Sequence, residues 1–216
     1  MEEKDLKILA QNLGNPQGEK GIEIGEMMNA TNIGMTLESI HTLLIEDGEN
    51  ILEIGHGNAA HVKSLLHLAQ NIQYTGIDIS ETMHNEAKRL NEEFKNQAEF
   101  VLYEGTKLPF EDKTFDKIFT VNTAYFWKEP VEYLNEIYRV LKDNGTFVLT
   151  FGQRDFMETL PFTQFNFTLY NSDEMEETVS KSHFKRMKIS EKEEQVKSKA
   201  GNETVTRLYT VLTIKK

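Results

Sequence analysis

Ile51-Leu52-Glu53-Ile54-Gly55-His56-Gly57-Asn58-Ala59-Ala60 decides how this chain folds. A short apolar run, Ile51, Leu52 and Ile54, stops at a glycine-rich turn, and Val62, Leu65, Leu66 and Ala69 then recur at helical spacing. The reading is strand, tight turn, helix. Gly55 and Gly57 let the backbone come close to a ligand and leave the amides of the following helix exposed to it.

Working outward, the unit repeats. Residues 74–79 read as a second strand, Ser80 as a helix cap, and residues 80–94 as a helix with Met83, Ala87 and Leu90 on one face. Strands follow at 99–102 and 115–121, then a helix at 130–141, a stop at Asp143-Asn144-Gly145 and a strand at 146–151. Alternating strands and helices predict a doubly wound α/β domain, a parallel sheet covered on both faces. After a helix begun by Ser172-Asp173-Glu174, two β-rich stretches, 184–196 and 205–214, meet through Ala200-Gly201-Asn202 with no helix between them, which predicts an antiparallel hairpin. The division expected is an N-terminal helical extension over residues 1–45 and one domain over 46–216, with an aromatic insertion at about 153–171.

Composition narrows the classes of function. The 216 residues include no cysteine, which removes thiolate nucleophiles, zinc-thiolate sites and disulfides and fits a reducing cytoplasm. The net charge of −11 opposes binding to phosphate backbones or anionic membranes, and Lys185, Arg186 and Lys188 alternate with apolar residues as on a solvated strand face. No apolar run approaches the roughly 18 residues of a membrane span, and Met1-Glu2-Glu3-Lys4-Asp5 is unlike a signal peptide. A soluble, cytoplasmic protein with no nucleic-acid or membrane partner is expected.

The glycine turn alone admits two cofactors, because Gly55, Gly57 and Ala60, with Asp78 about 20 residues on, also satisfy the dinucleotide fingerprint. Glu53 discriminates. A carboxylate two residues before the first glycine repels a pyrophosphate but attracts the ammonium and sulfonium of S-adenosylmethionine. Asp78, at the end of the second strand, is placed to accept both ribose hydroxyls, and Met83 lies one turn into the next helix, where it faces adenine or packs as core. Glu104 follows the third strand, where it can meet the adenine amino group. Three carboxylates at the ends of three successive strands point to one crevice.

On these residues the chain resembles the class I S-adenosylmethionine-dependent methyltransferases, in particular the group containing the ubiquinone and menaquinone biosynthesis enzymes and their small-molecule relatives. The resemblance runs over about residues 50–151. Residues 51–59 look like the family's first motif, Gly76-Ile77-Asp78-Ile79-Ser80 its ribose-binding strand, Leu108-Pro109-Phe110 with Phe115-Asp116 its adenine-loop surroundings, and Arg139-Val140-Leu141-Lys142-Asp143-Asn144-Gly145 the turn before its fifth strand. Ala59 stands where a third glycine is common, Glu104 where aspartate is usual, and Asp143-Asn144 where Pro-Gly is usual. The resemblance implies a Rossmann-like seven-stranded sheet, mostly parallel with an antiparallel C-terminal hairpin strand. It also implies S-adenosylmethionine held by Glu53, Gly55, His56, Gly57, Asp78, Ile79, Met83, Glu104, Gly105, Thr106, Asn122 and Tyr125, with no metal.

The fourth strand ends in Val121-Asn122-Thr123-Ala124-Tyr125-Phe126-Trp127, where relatives set cofactor against substrate; Tyr125 and Trp127 are suited to flank a sulfonium or to pack as core. Methyl transfer by in-line displacement depends mainly on positioning and exclusion of water, so a base is optional. If the acceptor needs one, His56, His61 and Tyr125 are the candidates. Specificity is expected in two additions: residues 15–35, whose glycines and methionines suggest either a mobile lid or a fixed helix, and residues 156–170, crowded with Phe156, Phe162, Phe165, Phe167 and Tyr170. The partner expected is a small-molecule methyl acceptor. The alternatives are a nicotinamide-dependent oxidoreductase, and a non-catalytic protein that binds S-adenosylmethionine and acts as a regulator or partner.

Overall fold

The computed structural model describes residues 2–197 and 204–216. Its sheet has seven strands. β1 (Asn50–Ile54), β2 (Gln73–Asp78), β3 (Ala98–Leu102), β4 (Phe115–Val121) and β5 (Leu141–Gly152) are parallel, and β6 (Arg186–Lys197) and β7 (Thr204–Lys215) close the sheet antiparallel, in the order β3-β2-β1-β4-β5-β7-β6. The doubly wound sheet and its antiparallel hairpin are as the sequence predicts. The join at Ala200-Gly201-Asn202 lies outside the described residues.

Both faces are covered. Along β5, Phe147, Leu149 and Phe151 belong to the core that includes α5 (Pro130–Val140) and α7 (Ser172–Ser180), while Val148 belongs to the core of the opposite face, which includes α3 (Val62–Leu66), α4 (Glu81–Leu90) and Met35, Ile40 and Leu43. Alternate residues serve alternate cores, and all four are fully buried, so the strand reads as a continuous apolar run.

The N-terminal extension is helical: α1 (Glu3–Gly14) and the long α2 (Gly18–Leu43). The C-terminal half of α2 buries Met35, Ile40 and Leu43, and Ser39 bonds Thr150 of β5 hydroxyl to hydroxyl at 2.7 Å. Gly25 serves close packing, since a Cβ there would lie 2.6 Å from the Met83 sulfur.

Three boundaries differ from the sequence reading. The helix after β1 ends at Leu66, short of Ala69. The helix expected over 80–94 stops at Leu90, because the Asn91 amide donates to the Ala87 and Ala59 carbonyls, and a 3-10 turn, Glu92–Phe94, follows. Asp143-Asn144-Gly145 does not separate helix from strand. β5 begins at Leu141, and Asn144, at φ 68°, sits in a register shift opposite β4. The short α6 (Arg154–Met157) opens the aromatic insertion.

β7 pairs with β5 only from Tyr209 to Lys215, but with β6 along its whole length. The unpaired end of this hairpin runs on as an arm against α2. There the Arg207 guanidinium donates to Asn32 Oδ1 at 2.9 Å, to the Thr31 carbonyl at 2.7 Å and to Glu194 of β6 at 2.7 Å.

Candidate active site

The strand order reverses between β1 and β4, and a crevice opens there, beyond the C-terminal ends of β1, β2 and β4. The turn after β1 forms its floor. Gly55 has φ 76°, and a Cβ there would collide with the Thr123 methyl group, so both backbone angle and space require glycine.

Asp78 braces this turn from the end of β2. One carboxylate oxygen accepts the Gly57 amide at 2.9 Å and the other accepts the Ser80 amide at 2.9 Å. Ser80 in turn caps α4 by accepting the Met83 amide. The carboxylate thus ties the glycine turn to the start of the next helix and still lines the crevice.

Glu53 is buried, and one of its oxygens, Oε2, accepts both His61 Nε2–H at 2.7 Å and the Tyr74 hydroxyl at 2.5 Å. Burial, and then the adjacent Glu53 charge, push the Tyr74 phenol well above its ordinary value, so it stays a donor. Among the described residues neither of these bonds uses Oε1.

The three candidate bases differ in what remains free. His61 spends Nε2–H on Glu53, and its ring packs edge-on to Phe119. His56 donates Nδ1–H to the Gly57 carbonyl at 2.6 Å, which leaves the Nε2 lone pair bare, and that atom is buried with no partner among the described residues. Tyr125 places its hydroxyl 3.0 Å from both Asn122 Oδ1 and the Gly152 carbonyl. Burial raises its phenol, making it a donor and not a proton acceptor.

Of the residues singled out in the sequence, Glu53, Gly55, His56, Gly57, His61, Asp78, Ile79, Met83, Gly105 and Asn122 line this crevice together, with Trp127 beside them. Glu104 and Thr106 do not: they are exposed and face an outer cleft that shares Ile79, Gly105, Phe126 and Trp127. Tyr125 lines a second, inner cavity instead. Sequence reasoning missed Tyr103 and a polar stripe on α2, Asn29, Asn32 and Thr36, which also line the crevice. Their spacing of three and four, inside a stretch rich in methionine and isoleucine, was the available signal.

Among the described residues no lysine or arginine lines the crevice, while two buried carboxylates do. Such walls disfavour a pyrophosphate and suit a cationic ligand. Residues 52–149 match the family model described as a methyltransferase domain. That stretch, a little under half of the chain, is similar to a methyltransferase domain.

The relatives of this stretch agree. The Bacillus subtilis protein YrhH is 32% identical over 113 residues, 51% of this chain and 62% of YrhH. The fatty-acid O-methyltransferase of Mycolicibacterium smegmatis is 31% identical over 106 residues, 48% of this chain and 37% of that enzyme. The aligned part therefore takes in less than two thirds of either relative. A solved S-adenosylmethionine-dependent methyltransferase from Aquifex aeolicus shares the fold, with a TM-score of 0.64 over 95% of this chain and 96% of that one at 18% identity. Among the described residues no helix is long and apolar enough to cross a membrane, and no group of three or more His, Asp or Glu side chains is placed to hold a metal.

Proposed function

We propose that the chain binds S-adenosylmethionine in the crevice and transfers its methyl group to a small-molecule acceptor by in-line displacement. The observation that carries this is the crevice wall, with Glu53 and Asp78 buried in it and, among the described residues, no lysine or arginine. When bound, S-adenosylmethionine supplies a methyl group already activated on a positively charged sulfur. Asp78 retains lone pairs for the ribose hydroxyls beyond the two amides it holds, and Glu53 Oε1 is the acceptor left for the amino group. Ile79, Met83 and Gly105 form the adenine side, with Glu104 and Thr106 at its outer rim. Asn122 orients the floor toward the acceptor.

The N-terminal half of α2 acts as a lid. With Pro16 just before it, its Gly25, Met28, Asn29 and Asn32 cover the crevice and keep water from the reacting centre. If the acceptor must lose a proton, His56 Nε2 and His61 Nδ1 are the ring nitrogens left with a free lone pair. The name of the fatty-acid O-methyltransferase relative supports a small-molecule acceptor, and the cysteine-free composition supports a cytoplasmic setting.

Calorimetry tests the cofactor. S-adenosylhomocysteine is expected to bind and NAD not to; the reverse would sink the reading. A second reading, a non-catalytic cofactor-binding regulator, draws on the commitment of His61 and Tyr125 to internal bonds. Single-turnover transfer of a labelled methyl group to cytoplasmic metabolites separates the two.

A further inference from the structure

The inner cavity shares Leu13, Met28, Asn32, Asn122 and Phe126 with the cofactor crevice, so it opens onto the place where methyl transfer is proposed. Its far wall is apolar: Phe156, Leu160, Phe162 and Phe167 of the insertion face Val196 and Val205 of the hairpin arm.

The polar groups of this cavity fall into two sets. Away from the mouth they are satisfied inside the protein. Thr31 donates its hydroxyl to the Met27 carbonyl, Tyr125 donates within the Asn122–Gly152 network, and Arg207 is neutralised by Glu194. At the mouth two amide groups hold unspent donors. Asn32 uses its oxygen for Arg207 and gives its Nδ2 no partner among the described residues, and Asn122 Nδ2 meets only the Met35 sulfur, at 3.7 Å. An unpaired polar atom carried past this mouth loses its hydration without replacement, whereas an apolar body gains by leaving water.

We propose that the methyl acceptor is an amphipathic small molecule, its apolar body held between the aromatic insertion and the hairpin arm. Its polar head accepts hydrogen bonds from Asn32 and Asn122 and presents the reacting atom to the crevice. This rests on the crevice being the cofactor site. Every wall residue except Asn122, Tyr125 and Phe126 lies outside residues 52–149, so acceptor choice belongs to the additions of this chain and not to the shared domain.

The test uses the full chain, with straight-chain alkanols from butanol to decanol as probes, titrated by calorimetry with and without S-adenosylhomocysteine. The dissociation constant is expected to fall about fourfold per methylene until the cavity is filled. Decylammonium, whose head only donates, is expected to bind at least tenfold more weakly than decanol. Val205→Phe and Leu160→Gln, both at partly exposed positions away from the crevice, are expected to weaken decanol binding at least tenfold and leave S-adenosylhomocysteine affinity within twofold. Either variant suffices if the other fails to fold. Affinity indifferent to chain length, decylammonium binding as well as decanol, or a folded variant that binds decanol as the wild type does would each overturn the proposal. Loss of S-adenosylhomocysteine binding in the wild type would instead count against the cofactor reading, and the alkanol series on the free protein still decides the cavity.

Discussion

The Ser80 hydroxyl accepts the Met83 amide at 3.1 Å as the cap of α4 and donates at 2.5 Å to the carbonyl of Pro16, between α1 and α2. One oxygen thus fixes the start of the helix beside the crevice and the link between α1 and α2, and Thr82 assists by accepting the Gly18 amide at 3.0 Å.

For the lid this sets an expectation. Ser80→Ala loses a cap worth about 0.5–2 kcal/mol and frees Pro16. Amide exchange over residues 18–32 is expected to quicken in the variant, while residues 35–43, buried on the sheet, stay protected. In the wild type, S-adenosylhomocysteine is expected to slow exchange over 18–32. Removal of residues 1–32 is expected to leave the core folded and abolish transfer. A truncated chain that still methylates would show the segment to be scaffold.

Asp78 and Glu104 are expected to part company in calorimetry. Asp78→Ala removes an acceptor from the crevice and from two backbone amides, so its affinity loss for S-adenosylhomocysteine is set at about 1.5–3 kcal/mol. Glu104 is exposed, where a hydrogen bond competes with water, and Glu104→Ala is expected to lose less, with Glu104→Gln between it and the wild type. Equal affinities for wild type and Asp78→Ala remove the ribose assignment, and indistinguishable Glu104 variants make Glu104 a bystander.

Tyr74→Phe keeps the ring in the core and leaves Glu53 Oε2 with His61 alone. The lost bond to a buried carboxylate is expected to cost about 1–3 kcal/mol in chemical denaturation. Because Tyr74 does not line the crevice, a parallel loss of cofactor affinity would report disorientation of Glu53. An unchanged unfolding midpoint would contradict the bond.

Ala59 is fully buried with φ 53°, in the left-handed region. Ala59→Gly relieves about 1–2 kcal/mol of backbone strain. Against that stand about 0.8 kcal/mol for the lost methyl group and about 0.4–1 kcal/mol of added unfolded-state entropy. The terms nearly cancel, so the melting temperature is expected to move by less than about 4 °C. Ala59→Val adds a branched side chain where neither angle nor space suits it and is expected to cost about 2 kcal/mol or more.

The turn after β1 was legible because its chemistry is local. Gly55, Asp78 and the Ser80 cap each follow from neighbours in sequence. The extension was harder to read. Gly21 and Gly25 suggest looseness in a sequence, yet both lie inside α2, and the reason for Gly25, the sulfur of Met83, comes from a residue 58 positions away. Tyr125 and Asn122 looked alike as crevice residues, but the 3-10 turn Ala124–Phe126 buries Tyr125 in the inner cavity and leaves Asn122 touching both. Glu104 has the right position in the chain, but its exposed loop sets it at the rim. His61 and Tyr74 serve Glu53, a pairing that only the assembled sheet brings about.

The bond between Asn32 and Arg207 spans 175 residues. Contacts of such separation form late, since the whole intervening chain must first be ordered. During synthesis the sheet can therefore assemble strand by strand while the hydrophobic chamber beside it does not yet exist. Only when β6 and β7 pair does Arg207 bring the hairpin arm against α2, so the chamber between them is the part of the molecule completed last.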